Sequence, residues 1–149
     1  MITRGFRNNN PANIRRSSAK WLGLKKLQQD SRFCQFESMK YGIRAFFILM
    51  RTYRYKYGLK TPEQILKRFA PSSENDLSSY LYFIESKGIP KNVEFTSDVI
   101  YCVFAKWIFR YESQYVVSCS YLKDLMDELN CYVINEKKEC KESDLFSDV

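Results

Sequence analysis

Apolar residues recur along this 149-residue chain in two rhythms, and the change falls near residue 38. Before it, residues 4–32 show no helical period. They are rich in Asn, Gly, Ser and Arg and read as an ordered polar loop region. RFCQF, residues 32–36, reads as a strand with Phe33 and Phe36 as its apolar markers. It pairs in a small hairpin with the stretch around Trp21 to Leu27.

From Ser38 onward the spacing is helical. Ser38 sits at an N-cap position, and Met39, Ile43, Phe46, Phe47, Met50, Tyr53 and Tyr57 follow on one face. Gly58 then supplies a stop. TPEQ, residues 61–64, is a second start, with a Thr cap, Pro in the first turn and Gln closing a capping box. Ile65, Leu66 and Phe69 form its apolar face, and Pro71 ends it. A third helix begins at SSEND (72–76), turns Leu77, Tyr80, Leu81 and Ile84 inward, and stops at Gly88. A fourth starts at Thr96 to Asp98. Its run of Val99, Ile100, Val103, Phe104, Trp107 and Ile108 predicts burial on most sides, ending at RYES (110–113). Tyr121, Leu122, Leu125, Met126 and Leu129 mark a fifth.

After Ile134 the period is lost, so residues 1–135 read as one domain and 136–149 as a charged, frayed tail. The expected fold is mostly α: about five helices with a small N-terminal β element.

Charge divides the chain in two. Residues 1–70 hold sixteen Lys and Arg against three acids; residues 71–149 hold eight against fourteen. A basic half attracts a polyanion such as nucleic acid, teichoic acid, anionic lipid or peptidoglycan, and charge alone does not choose among them. RTYRYKYG (51–58) interleaves bases with aromatics, as single-strand nucleic-acid binders do. The same residues also form the outer face of an amphipathic helix, and no nucleic-acid-binding signature accompanies them.

Chemistry is narrowed by an absence. The chain has no histidine. Ser-His-Asp and Cys-His nucleophiles are therefore excluded. Its five cysteines (Cys34, Cys102, Cys119, Cys131, Cys140) form no CxxC pair, which suits reduced thiols and argues against zinc. No metal or cofactor is implied. Acid–base work falls to carboxylates before Tyr, Lys or Cys. No signal peptide opens the sequence, and the longest apolar run, Ala45 to Met50, is too short to span a bilayer.

Glu112 ends the most apolar helix, where desolvation and the negative helix end would both raise its pKa toward that of a general acid. A surface Glu at a fraying helix end fits the same spacing. Glu74 and Asp76 suit a helix's first turn, where the dipole favours acids. Asn9, Asn10 and Asn13, in RNNNPANIR, can form a tightly bonded loop of αL and Asx turns. They can equally line a groove for a neutral polar ligand such as an N-acetylated sugar. Trp21, Tyr41 and Tyr80 can offer apolar faces to that ligand or pack into the core.

RGFRNNNPANIR, then WLGL, then FCQFESMKYGIRAFFILMRTY, then ILKRFAPSSENDLSSYLYFI resemble in order the motifs of one family. These are small phage- and prophage-encoded proteins of lysozyme-like type. The resemblance is close over residues 4 to about 84 and looser to about 112. The order of Asn-rich, Trp-x-Gly and Phe-x-x-Phe-x-Ser motifs is also similar, more distantly, to peptidoglycan glucosaminidases. In those enzymes the catalytic Glu lies upstream at the end of an apolar helix. Here such a helix, VIYCVFAKWIFRYES, lies downstream.

The resemblance implies a circularly rearranged lysozyme-like domain that cleaves peptidoglycan glycan. Glu112 would be its acid and Glu74 a second carboxylate, with Asn9, Asn10, Asn13, Trp21 and Tyr80 on the substrate. It implies peptidoglycan strands, and phage tail or virion proteins, as partners. A protein made in the cytoplasm would then act at the cell wall or within a virion. The chain departs from the family pattern at Ala12 (Gly), Phe69 (Trp), Leu77 (Thr), and Gln114 and Tyr115, where Gly is usual. A catalytically inactive virion or envelope-binding module is the alternative, and a basic nucleic-acid binder the second.

Overall fold

The computed structural model describes residues 2–70 and 74–134, with the side chains of all but 74 and 75. Six helices lie among the described residues: α1 (Arg4–Arg7), α2 (Met39–Tyr57), α3 (Pro62–Phe69), α4 (Glu74–Ser86), α5 (Asp98–Ser113) and α6 (Cys119–Leu129). The protein is mostly helical, and the five longer helices are those expected from the spacing. The expected stop at Pro71 and the tail 136–149 lie outside the described residues.

The local signals act as their chemistry requires. Thr61 and Gln64 complete a reciprocal capping box, with Pro62 opening α3. Ser97 and Ser118 accept from the third backbone N–H of α5 and α6. Ser38 holds the N-cap position of α2 without a side-chain bond. Gly58, at φ 68°, takes the left-handed turn that closes α2.

α5 is the hub, packing against α1, α2, α4 and α6. Across it from α2, Phe46 is fully buried, its ring centroid 5.3 Å from Phe109 and 5.9 Å from Phe69. Ala45 to Met50 is buried without a break, so mid-α2 has no solvent face. The first turn of α5 is less enclosed than its composition suggests. Val99 and Ile100 are exposed, and the buried positions of α5 begin at Tyr101. Tyr121 likewise faces solvent, while Leu122, Leu125 and Met126 carry the buried stripe of α6.

The N-terminal region differs from expectation in two ways. Residues 4–7 form a single helical turn, capped by the Thr3 hydroxyl on the Phe6 N–H. The β element shrinks to two isolated antiparallel bridges, Arg15↔Phe33 and Leu24↔Phe36. Residues 32–37 run between two partners. Cys34 N–H donates to Ile14 O on one side, and Lys25 N–H donates to Gln35 O on the other. Side chains complete what a ladder would supply. Gln28 Oε1 accepts from Gln35 N–H, and Gln28 Nε2 donates to Gln35 O.

The asparagine run is the main fastener. Asn8 Nδ2 donates to Asp30, and Asn9 Nδ2 donates to Phe36 O. Asn10 is fully buried: its Nδ2 donates to Ile14 O and Cys34 O, and its Oδ1 accepts from Ile14 N–H. These bonds tie the loop to itself at Ile14 and to residues 30–36, so Asn10 is scaffold and does not line a groove. Trp21 is also core, 3% exposed. Close approach does the rest. A Cβ on Gly42 would lie 1.9 Å from Asn9 O, and one on Gly5 1.8 Å from Ser113 Oγ.

Asn10→Ala leaves two buried backbone groups, Ile14 N–H and Cys34 O, without partners, while Ile14 O keeps the Cys34 N–H. It should lower unfolding stability by about 2–4 kcal/mol, read as a drop in the urea midpoint. A variant that folds with wild-type stability would contradict the scaffold role.

Candidate functional site

Residues 3–13 wrap the C-terminal end of α5. Thr3 Oγ1 donates to Ser113 O at 2.6 Å, and Ser113 Oγ donates to Pro11 O at 2.8 Å. Asn13 Nδ2 donates at 3.1 Å both to Glu112 O and to Glu112 Oε1. Carbonyls at a helix end lack intrahelical partners. Here the N-terminal loop supplies them, and one donor is shared with the carboxyl beside it. Asn9 and Asn13 adopt φ 54° and 52°, the left-handed conformation that Asn tolerates. Gln114 closes α5 at φ 53°. This left-handed helix-ending turn is made without glycine.

Glu112 opens into a pocket of about 250 Å³. Ala12, Asn13 and Arg15 come to it from the loop, and Phe33 from the bridge strand. Phe69 and Ala70 come from the end of α3, Asp76 and Tyr80 from α4, and Tyr111 from α5. Burial raises the pKa of the Glu112 carboxyl, opposed by Tyr80, Asn13 and the charge of Arg15. The Tyr80 hydroxyl approaches closely enough to favour the charged form, but not in full hydrogen-bond geometry, and otherwise has no partner. Burial, then the Glu112 charge, raises the pKa of Tyr80 well above the ordinary value, so it stays a donor. The Tyr80 ring stacks on Tyr111 at 3.9 Å between centroids.

Of the residues expected to act on substrate, the structure brings Glu112, Asn13 and Tyr80 together. Asn9, Asn10 and Trp21 are not in the pocket lining. Asn9 and Asn10 hold the loop that carries Asn13, and Trp21 packs in the core. Glu74 begins α4, and its side chain lies outside the described residues. The acid two positions on that the pocket does contain is Asp76, which by sequence serves only the helix dipole. Its charge and that of Glu112 both act on Tyr111. Arg15, Phe33 and Tyr111 also escaped sequence reasoning. The bridge pairing that sets Arg15 beside Phe33 was the one available signal.

No model of a known protein family matches this chain. It is similar to Protein P5 of Pseudoalteromonas phage PM2, with 41% identity over 109 residues, which span 70% of this chain and 68% of that protein. The chain belongs to the family of phage protein P5. It is thereby a protein of bacteriophage type. No helix among the described residues is long and apolar enough to cross a membrane, and P5-family membership is compatible with a place in a virion.

The cysteines stand apart from the pocket. Cys34, Cys102 and Cys131 are buried free thiols, and Cys119 is half-buried. Cys140 lies outside the described residues. Arg51 and Arg54, which suggested a nucleic-acid face, donate to the backbone carbonyls of Tyr132 and Phe95.

Asn13→Gly keeps the left-handed backbone and removes the donor to Glu112. That donor favours the charged carboxyl, so its loss should raise the Glu112 pKa further, seen by carboxyl NMR titration. A pKa unchanged or lowered would show that the Asn13 contact does not tune this group. The raised folded-state pKa also has a stability sign. Above about pH 4.3, the ordinary Glu value, Glu112 costs stability, increasingly until its folded pKa is passed. Glu112→Gln should therefore raise Tm at pH 7 and lose that advantage below about pH 4.

Proposed function

We propose that this protein cleaves the glycan strands of peptidoglycan, as a lysozyme-like member of its phage family. The observation that carries the proposal is the environment of Glu112. A carboxyl with a raised pKa sits at the buried end of an apolar helix, held by Asn13 and faced by Tyr80, in a pocket that also contains Asp76.

A carboxyl that burial keeps protonated to higher pH than an ordinary Glu can give its proton to a glycosidic oxygen as the bond to the sugar breaks. Giving up the proton leaves a charged carboxylate in the same desolvated place, which costs free energy unless donors stabilise the anion. Asn13 and Tyr80 supply donors for that anion. Asp76 is the carboxylate available to the second half of the reaction. It can orient water, giving hydrolysis, or stabilise positive charge on the sugar while the substrate's own hydroxyl closes the ring, giving a transglycosylase product. Phe33, Phe69 and Tyr111 present apolar faces against which sugar rings can lie.

The departures from the family pattern sit at structural places. Gln114 makes the helix-ending turn, Leu77 packs against the core, and Phe69 packs against Phe46 while lining the pocket. None removes a polar group from Glu112. The partners that follow are glycan strands and, for a phage-family protein, other components of a virion.

Purified sacculi should release muropeptides with the wild-type protein. Glu112→Gln should slow release by at least about 100-fold, the usual contribution of a general acid. Mass spectrometry of the new ends would show reducing sugars for hydrolysis or anhydro sugars for transglycosylation. Equal release by both would remove Glu112 from the chemistry. No release by either would favour a glycan- or virion-binding module without catalysis.

A further inference from the structure

Beside the pocket the charge is strongly one-sided. Arg15 and Phe33 face each other across an antiparallel bridge, and both line the pocket. The guanidinium carbons of Arg4 and Arg32 lie 4.7 and 5.4 Å from the centre of the Phe33 ring. Arg16 Nη1 donates to the backbone carbonyl of Asp30 at 3.1 Å. Four guanidiniums thus gather around one short stretch of backbone.

One carboxylate lies among them, and it is fully used. Asp30 accepts a bidentate pair from Arg4 at 2.7 and 2.6 Å. It also accepts from Asn8 Nδ2 at 2.9 Å and from the N–H groups of Arg32 and Phe33 at 2.9 and 3.0 Å. These donors, Arg4 first, hold its carboxyl well below the usual range. Asp30 therefore neutralises Arg4 and has no acceptor capacity left for its neighbours. Arg15 and Arg32 are exposed, and among the described residues neither is in an ion pair. One guanidinium on the pocket wall and another against the aromatic ring of that wall are left for an external anion. The field of Arg15 reaches as far as Glu112.

We infer that Arg15 and Arg32 form a carboxylate subsite adjoining the Glu112 pocket, which selects glycan bearing acidic substituents over neutral glycan. This rests on the reading of the pocket as a glycan site. The guanidinium fork matches a carboxylate in a way it matches no neutral hydroxyl or acetamido group. In peptidoglycan the carboxylate can come from the stem peptide or, once that is removed, from the lactyl ether of the muramic acid. Chitin-type chains carry neither. The subsite places the acidic sugar next to the bond that Glu112 faces, and it sets substrate class without taking part in proton transfer.

The test is binding by calorimetry, which needs no turnover. Three soluble probes of equal length serve: a peptide-bearing muropeptide tetrasaccharide, the same glycan stripped by an amidase so that free lactyl carboxylates remain, and neutral chitotetraose. The full chain should bind at least one carboxylate probe about tenfold or more tighter than chitotetraose, the scale of a charge-assisted contact. Arg15→Gln/Arg32→Gln should reduce that preference to within about twofold. Preference for the peptide-bearing probe alone assigns the stem peptide; equal preference for the stripped probe assigns the lactyl group. Equal binding of all three by wild type, a preference that survives in the double variant, or no binding of any probe overturns the inference. Should the double variant fail to fold, by circular dichroism, Arg15→Gln alone gives the same comparison. A carboxylate preference without muropeptide release would defeat the catalytic reading and leave the subsite standing. Release without preference would do the reverse.

Discussion

The seam between residues 3–13 and the end of α5 governs this molecule. The first residues of the domain close on the helix end through Thr3, Pro11 and Asn13, and each contact meets Glu112 or Ser113. The approach is close enough that a methyl group on Gly5 would overlap Ser113 Oγ. On its other side the same loop lies against Gly42 of α2, again with no room for a side chain. Two glycines and four asparagines therefore hold a polar loop against two apolar helices. Each buried backbone group there has to find a donor or acceptor, or the loop would be lost to water.

The chemistry of Glu112 follows from that seam. A carboxyl buried without partners would stay neutral throughout, and one fully bonded to donors would stay charged. Glu112 lies between these limits. Burial drives its pKa up, and Asn13, Tyr80 and the charge of Arg15 draw it back. The Tyr80 hydroxyl, short of full hydrogen-bond geometry to Glu112, and Asn13 Oδ1, with no hydrogen bond among the described residues, are uncompensated costs in the folded state. Such costs concentrate where a site is prepared for a ligand. Both of these lie in the pocket that holds Glu112.

The basic half of the chain is not used uniformly. Arg51 and Arg54 tie α2 to neighbouring backbone, and Arg4 is consumed by Asp30. These guanidiniums hold the fold together. Arg15 and Arg32, beside Phe33, are left open to solvent at the pocket edge. Among these arginines, Arg4, Arg51 and Arg54 are structural, and Arg15 and Arg32 form an exposed pair beside the pocket.

The sequence by itself determined what local physics controls. Helix spacing, the Thr61–Gln64 capping box, the start at Thr96 to Asp98 and the stop at Gly58 act within a few residues, and α2 through α6 were legible from them. The same kind of argument singled out Glu112, because apolar neighbours on one helix already imply desolvation. The one-turn helix at Arg4–Arg7 was not legible, because four residues carry no period. The division of labour among the asparagines was not legible either. Asn10 and Asn13 share residue type and loop, yet one bonds inward to Ile14 and Cys34 while the other reaches a carboxyl 99 positions away. Only the tertiary structure decided that Trp21 is core, that Asp76 shares the pocket with Glu112, and that Arg15 and Arg32 flank Phe33 without an acid of their own. Those facts depend on which distant surfaces meet, and hydrogen bonds and desolvation act across space between groups whose order along the chain carries no record of their contact.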